Sequence, residues 1–359
     1  MKKNLAYYLV LGCMSINTHI MAENYDHWEA SEHNEWRTEE NLYAGHSYSK
    51  DSGYAWDSDC CNFEQNNCGT FEVGADWLYW KAEQARMEYA SNVTGTDGGS
   101  TINSVVLRPS FKETSGYRVF ASYETPDTLW KLGATYNHLP SNASNFTNDV
   151  GLTGTFIFIF SNNFPFYAAI SGTPFETLNA QWNLDLDYAD LDLSRTFSVC
   201  ERIQIRPNIG LRGYWLNQSF SLSGTTTTSS LTSKLKESIE AYGLEGGLTG
   251  IGELGCGFSL VGHIGGSLLY ARFHNSGHLT AVTPGSPDSN ISYKDTMHKA
   301  TPTIDSSIGI QYTQIIWNKP INLHACWEHH VFFDTNAFGV GNGANLTMQG
   351  LTLGGSIAF

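Results

Sequence analysis

Hydrophobic and polar residues alternate with a period of two over most of the chain after Phe71. In residues 202–212 the even positions carry Arg, Gln, Arg, Asn, Gly and Arg, and the odd ones carry Ile, Ile, Pro, Ile and Leu. Residues 301–313 repeat the pattern, with Thr, Thr, Asp, Ser, Gly, Gln and Thr on the odd positions. Successive side chains of a strand point to opposite faces. The period therefore predicts strands with one apolar and one polar face.

The alternation changes phase once, within residues 182–193. Apolar residues occupy even positions as far as Tyr188 and odd positions from Ala189 onward. A β-bulge inserts one residue into a strand and reverses the faces beyond it. We attribute the change of phase to such a bulge, which would put four carboxylates on one face: Asp185, Asp187, Asp190 and Asp192.

The alternating segments predict ten strands, with connections that are long and short in turn. The strands lie at residues 71–90, 115–124, 129–138, 178–198, 201–221, 237–253, 256–274, 300–316, 320–334 and 346–359. A β-sandwich also alternates, but short turns at one end and long loops at the other are typical of outer-membrane barrels. We predict an all-β transmembrane antiparallel β-barrel of about 10 strands (about 8–12), with short periplasmic turns and long extracellular loops.

The last predicted strand carries alternating apolar residues and finishes on an aromatic one. Leu351, Leu353, Ile357 and Phe359 share one face. Bacterial outer-membrane barrels commonly end in this way, and the barrel-assembly machinery reads the pattern. We expect these four residues to form the assembly signal.

The beginning of the chain has the layout of a secretory signal. Lys2 and Lys3 precede an apolar run at 5–11, and Ala22 stands where a signal peptidase would cut. A lipoprotein signal ending at Cys13 is the alternative. The predicted division is a signal peptide at 1–22, an irregular, cysteine-containing extension at 23–69 and a barrel at 70–359.

Composition narrows the class of function. Charged residues make up 15% of the chain, below the roughly 25% of a soluble domain, and the net charge is −15. Such an acidic chain is not expected to bind nucleic acid, because phosphate contacts need a basic surface. After the signal, no stretch of about 18 apolar residues predicts a membrane helix.

Cysteines form one cluster, Cys60, Cys61 and Cys68, besides scattered single ones. The cluster lacks the second spaced pair of a zinc site. We therefore predict disulfides, within the chain or to neighbouring chains. The six cysteines beyond residue 22 allow 15 connectivities, so the pairing stays open.

Several blocks resemble a known family in family order. They are FEVGADWLYWKA at 71–82, WNLDLDYADLDLSRTF at 182–197, IRPNIGLRGYWLNQSF at 205–220, GCGFSLVGHIGGSLLYARF at 255–273, CWEHHVFF at 326–333 and LTMQGLTLGGSIAF at 346–359. The chain resembles the Legionella-type major outer membrane protein family, which has porin-like members in environmental chlamydiae. The resemblance implies a pore-forming barrel in the outer membrane, without enzymatic activity or a bound cofactor. Disulfide cross-links to other envelope proteins would suit this family.

Polar faces of the predicted strands supply candidate pore-lining residues. They are Asp185, Asp187, Asp190, Asp192, Arg202, Arg206, Arg212, His324, Glu328 and His330. One interpretation is a charged constriction that selects solutes, and the other is that the rows form salt bridges and fill a narrow interior. His329 and His330 would face opposite sides of their strand and so cannot bind one metal together.

Aromatic residues on the apolar faces suit interfacial girdles. Those expected there are Trp77, Tyr79, Trp182, Tyr188, Tyr214, Trp215, Tyr270, Trp317, Trp327 and Phe333.

Three functions remain as hypotheses. The first is a porin for passive diffusion of small hydrophilic solutes or ions, which is also a major structural protein of the envelope. The second is a surface adhesin or structural barrel that acts through its long loops. The third is a barrel-embedded hydrolase, for which the sequence offers no Ser-centred motif. Expected partners are outer-membrane lipid, the assembly machinery and, in a homo-oligomer, further copies of the chain, but no nucleic acid.

Overall fold

The computed structural model describes residues 69–94, 103–126, 129–148, 155–157, 176–285, 287–336, 338 and 343–359. The signal peptide and the extension predicted at 1–22 and 23–69 therefore lie outside the described residues, except for Gly69. Ten long strands stand in the described part: β1 Thr70–Gln84, β2 Glu113–Glu124, β3 Trp130–Asn148, β4 Thr177–Arg195, β5 Ile203–Thr225, β6 Ser230–Gly255, β7 Phe258–Val282, β8 Ser289–Ile316, β9 Lys319–Phe332 and β10 Leu346–Ala358. No helix in these ranges is long and apolar enough to cross a bilayer.

Each long strand pairs antiparallel with its neighbours in sequence, and β10 pairs with β1. The ring is completed by reciprocal backbone hydrogen bonds between Phe71 and Phe359, with N···O distances of 3.2 and 2.8 Å. The fold is a closed ten-stranded barrel, as predicted. Closure removes the unpaired strand edges, which would otherwise pair with strands of other chains.

Five short strands accompany the barrel. Ala90–Thr94 pairs with Asn103–Leu107 and with Thr155–Ile157 in a small separate sheet. Ser110–Phe111 pairs with β3, and Phe197–Cys200 pairs with the start of β5. These segments extend the barrel at its two ends.

Tight turns join the strands at the end of the barrel that holds its first and last residues. Between β6 and β7, Cys256 and Gly257 have φ angles of 52° and 81°; between β8 and β9, Trp317 and Asn318 have 52° and 59°. Positive φ at both central residues is the geometry of a type I′ hairpin turn, which matches the twist of the flanking strands. Because short turns of such barrels face the periplasm, the opposite end is extracellular.

The strands are longer at the extracellular end than the sequence predicted. Residues 139–148, 230–236, 275–282 and 289–299, predicted to be loops, belong to strands. A membrane strand needs only about 9–11 residues, whereas β8 has 28. The barrel wall therefore continues well beyond the bilayer.

The apolar face of the wall changes from the outside to the inside along the strands. On β5 the inward side chains are first Arg206 and Arg212 and then, further from the short turns, Leu216 and Phe220. Outward side chains change in the opposite sense, from exposed Leu211 to Asn217. We call the part with an apolar outer face the membrane section, which comprises residues 70–80, 116–124, 130–138, 188–195, 203–213, 242–255, 258–270, 302–316, 319–331 and 349–358. The remaining strand residues form the distal section, whose apolar side faces inward.

The bulge predicted within residues 182–193 is wrong. The pairing of β4 with β3 and with β5 continues without a shift from Thr177 to Arg195, and even positions point inward throughout. The apolar residues change from even to odd positions because the outer face of β4 changes from exposure to water to contact with lipid. The apolar side chains therefore point inward in the first part of the strand and outward in the second. Asp185 and Asp187 consequently lie on the outer face, not in the lumen.

Three residues predicted for the aromatic girdles are also misplaced. Trp182, Tyr188 and Tyr214 are buried inside the barrel. The outer face does expose other aromatic side chains, namely Trp77, Tyr79, Tyr270, Trp317 and Trp327.

Candidate lumenal site

Arg212 on β5 extends into the lumen and contacts carboxylates from three strands. Its Nε lies 2.7 Å from Asp190 Oδ1, and its Nη2 lies 3.1 Å from Glu245 Oε2. Its Nη1 donates to Asp305 on β8. Because β6 and β7 stand between β5 and β8, this last contact crosses the interior rather than running along the wall.

Arg118 on β2 makes a second contact across the interior. Its Nη1 and Nη2 donate to both carboxylate oxygens of Glu328 on β9, at 2.9 and 2.7 Å, and Nη1 also donates to Asp76 at 3.2 Å. A guanidinium and a carboxylate joined by two parallel hydrogen bonds form one of the strongest side-chain pairs. Strands β1 and β10 lie between the two partners.

His330 connects the two arginine clusters. Its Nδ1 lies 2.7 Å from Asp305 Oδ1, and its Nε2 lies 3.0 Å from Glu328 Oε2. We call the connected set the charged belt: Asp76, Arg118, Asp190, Arg212, Glu245, Asp305, Glu328 and His330. Five carboxylates, two guanidinium groups and one imidazole thus lie at one level of the barrel.

Aromatic rings fill the remaining space at this level. The ring centroids of Tyr188 on β4 and His330 on β9 are 6.2 Å apart, and those of Trp80 and His330 are 4.7 Å apart. Arg212 lies over Tyr188, and Arg118 lies over Trp80, each guanidinium carbon 5.7 Å from the ring centroid. Since β4 and β9 are opposite walls, the contact between Tyr188 and His330 spans the interior at the belt.

The distal section contains an apolar core above the belt. The rings of Tyr214 and Phe332 meet edge to face with centroids 5.2 Å apart. The indole Nε1 of Trp182 donates to Gln218, whose amide in turn donates to the Thr335 carbonyl at 2.9 Å. This part of the interior is packed like the core of a water-soluble barrel, and the buried Trp182 indole and Gln218 amide both have hydrogen-bond partners.

A polar cavity lies on the periplasmic side of the belt, with a volume of about 270 Å³. Lys131, Asp192, Arg206, Asn208 and His263 contribute to its lining. The Nζ of Lys131 lies 2.7 Å from Glu72 Oε2, and the Nε of Arg206 lies 3.0 Å from Thr196 Oγ1. The lower lumen is thus polar and roomy, whereas the belt and the distal core above it are filled.

The sequence model of one family, described as the Legionella pneumophila major outer membrane protein precursor, matches residues 66–359. The chain belongs to this family. The match covers all ten barrel strands and confirms the predicted family and the location in the outer membrane. A comparison with curated proteins found no match.

Solved structures similar to this family member are outer-membrane proteins. The protease OmpT of Escherichia coli shares 11% identity over 84% of this chain and 99% of its own, with a TM-score of 0.41. A major outer membrane protein of Thermus thermophilus shares 13% identity over 81% of this chain and 100% of its own, with a TM-score of 0.34. Ail of Yersinia pestis shares 8% identity over 81% and 99%, with a TM-score of 0.25.

Seven of the candidate pore-lining residues have inward side chains. Asp190, Arg212, Glu328 and His330 belong to the charged belt, and Asp192 and Arg206 line the cavity below it. His324 also points inward, with its Nε2 3.0 Å from Asp76 Oδ1. His329, the neighbour of His330, lies on the outer face.

Three of the candidate pore-lining residues lie elsewhere. Arg202 is exposed in the turn between β4 and β5. Asp185 and Asp187 lie outside the wall beside His138, whose Nδ1 is 2.8 Å from Asp187 Oδ1. Tyr136 donates a further hydrogen bond of 2.6 Å to Asp187. Odd-numbered side chains of β4 point outward, so these two carboxylates lie outside the lumen.

Four belt residues were not among the candidates: Asp76, Arg118, Glu245 and Asp305. Each is a charged residue on the inward parity of its strand. Toward the distal section this parity carries apolar residues beyond Asp76 (Leu78, Trp80 and Ala82) and beyond Glu245 (Ala241 and Ile239), whereas it carries Gly116 and Thr114 beyond Arg118 and Thr303 and Thr301 beyond Asp305. On β1 and β6, the change from charged to apolar inward side chains was the available signal. It marks the depth at which the polar lumen ends.

The remaining predicted residues lie outside the lumen or outside the described part. Leu351, Leu353, Ile357 and Phe359 face outward along β10 as far as its periplasmic end, and their role as an assembly signal stays a prediction. The disulfide candidates Cys60, Cys61 and Cys68 lie outside the described residues. In the described part, three cysteines have free thiols: Cys200, Cys256 and Cys326.

Proposed function

We propose that this family member is a structural barrel of the outer membrane that presents a large surface outside the cell and whose lumen is closed at rest. The observation that carries the proposal is the contact between opposite walls at the charged belt, Tyr188 with His330. The two arginines supply further connections across the interior. Each pair links strands across the interior through charge-assisted hydrogen bonds.

The distal section supports a role in surface presentation. Its outer face carries polar residues on strands that extend beyond the apolar zone, and its inner face has a buried core. Such a section is stable in water and holds the loops at a distance from the bilayer. This arrangement suits a barrel that acts through its exposed wall and loops.

Passage of small hydrophilic solutes, as in a porin, is the second candidate. The polar cavity below the belt and the polar inner face of the membrane section favour it. Conduction would require the belt to separate and the distal core to open. The excess of carboxylates over guanidinium groups at the belt would then favour cations over anions.

Planar-bilayer recording of the purified, folded protein separates these two functions. We expect no steady conductance from the native chain, because walls in contact leave no aqueous path. Sustained single-channel steps from well-folded protein would contradict the closed barrel and favour the porin. A parallel recording with the Arg202→Leu variant, altered only at an exposed turn, controls for effects of handling and charge.

A further inference from the structure

The outer wall of the distal section carries a regular array of basic and polar residues on β6, β7 and β8. The strand register places them in four rows: Lys234, His278 and Ser292; Lys236, Ser276 and Lys294; Ser238, His274 and Thr296; Glu240, Arg272 and His298. We call these residues the basic grid. All point outward, because they share the even parity of the lipid-facing residues on the same strands.

The basic grid has a net positive charge, whereas the chain as a whole is negative. It holds four permanent cations, Lys234, Lys236, Arg272 and Lys294, and three histidines, against the single carboxylate of Glu240. The whole chain has 20 Lys and Arg against 35 Asp and Glu. A net positive area on such an acidic protein indicates an anionic partner, since unlike charges attract across a surface.

The four cations of the grid are unpaired in the described part of the chain. Described carboxylates form ion pairs with Arg118, Lys131 and Arg212 in the lumen, but with none of these four. The histidines are engaged with neighbouring hydroxyl groups, for example His278 with Ser292 at 2.7 Å. Exposed ammonium and guanidinium groups are therefore available to a ligand.

The grid begins where the apolar outer surface ends. Leu268 and Tyr270 on β7 are 64% and 63% exposed on the lipid-facing side, and Arg272 is the next outward residue. On β6, Tyr242 is likewise followed outward by Glu240 and the two lysines. Exposed aromatic residues mark the membrane–water interface. The grid thus lies beside the head groups of the extracellular leaflet.

A groove with both polar and apolar lining continues the grid toward β4 and β5. It has a volume of about 510 Å³, and Lys236, His274 and Ser276 line it together with Asn183 and Asn217. Amide, hydroxyl and imidazole groups on an open surface suit the hydroxyl groups of a sugar. Asp185 and the buried Glu237 belong to the same lining, so the anion-binding part is confined to the outward side chains of β6–β8.

We propose that the basic grid binds the phosphate groups of the phosphorylated glycolipid in the outer leaflet of the bacterial outer membrane. Lys236 and Lys294 flank Ser276, two interstrand spacings or about 10 Å apart. Long ammonium side chains can converge on one phosphate from that separation, while the serine hydroxyl donates a hydrogen bond. Cations near a charged membrane surface are attracted to it. This role does not depend on whether the lumen conducts.

A fourfold variant tests the proposal: Lys234→Gln, Lys236→Gln, Arg272→Gln and Lys294→Gln. The probe is bisphosphorylated lipid A, titrated onto the full, folded protein in neutral detergent at low salt. We expect binding to weaken at least about tenfold, since four surface charges are lost. The matched control removes four cations elsewhere: Lys81→Gln, Arg108→Gln, Lys112→Gln and Arg202→Gln. Its affinity should stay within about twofold of the native value.

Four further outcomes decide the case. Native protein should bind dephosphorylated lipid A as weakly as the grid variant binds the phosphorylated form. Equal loss of binding in the grid variant and the control would overturn the proposal, because only net charge would then matter. Undiminished binding by the grid variant would overturn it too, as would equally tight, grid-dependent binding of phosphatidylglycerol. The heat-dependent gel shift of a folded barrel verifies that both variants are folded.

Discussion

Replacing Arg212 with leucine should lower the free energy of unfolding by about 3–5 kcal/mol. The guanidinium compensates Asp190, Glu245 and Asp305 in an interior that excludes most water. Leucine would leave Asp190 and Glu245 without their guanidinium partner and Asp305 with His330 alone. Denaturant titration of the protein in detergent, followed by tryptophan fluorescence, measures the change.

Two variants make this result specific. Arg212→Lys keeps the charge but offers a single ammonium in place of the planar group, so its loss should be intermediate. Arg202→Leu removes an arginine from an exposed turn and should change stability by no more than about 0.5 kcal/mol. If Arg212→Leu changed the free energy of unfolding as little as Arg202→Leu, the three carboxylates would have to be solvated by water. The lumen would then be open at the belt.

Replacing Phe332 with alanine should cost about 3–5 kcal/mol, the usual effect of removing a phenyl ring from a packed core. Phe332 is 1% exposed and packs against Tyr214 and Tyr188 on the opposite side of the barrel. If the distal section enclosed a water-filled channel, the same change would be nearly neutral. The denaturant titration used for Arg212 distinguishes the two cases.

Phe146 provides the matched control for Phe332. It lies on β3 in the same distal section, but it is 61% exposed on the outer wall. Phe146→Ala should alter stability by no more than about 0.5 kcal/mol. Equal effects of the two substitutions would contradict a solvated outer face combined with a buried inner one.

Stability and conductance together separate the two proposed functions. A closed structural barrel predicts that Arg212→Leu weakens the fold and that the native chain does not conduct. A gated porin predicts that the native chain conducts, since its belt would separate under working conditions. The grid, in contrast, lies on the outer wall, so its substitutions should leave both properties unchanged.

Much of the fold could be predicted from the sequence, because alternation is a local property of each strand. Residues 202–212 and 301–313 were assigned to strands from their two unlike faces, and the closed ten-stranded barrel confirms this. Family membership was also predicted, from blocks that the family match now includes. The inward parity of Arg206, Arg212, Glu328 and His330 followed from the same period.

What the sequence did not reveal is the medium that each face meets. Alternation shows that the two faces of a strand differ. It does not show which face is outside, because a face in contact with lipid and a face packed in the core both consist of apolar residues. The change of phase at Tyr188 was therefore interpreted as a bulge, although it marks the point where the wall leaves the membrane. Asp185, Asp187 and Trp182 were misplaced for that one reason.

The charged belt and the basic grid were decided by the tertiary structure alone. Arg118 meets Glu328 across 210 positions of sequence, because barrel closure pairs β10 with β1 and so leaves only these two strands between β2 and β9. The cations of the grid come from three strands whose register aligns them in rows. The sequence determined which side chains could face the same way. Curvature and register determined which of them meet, because contacts across a barrel depend on strands that are far apart in the chain.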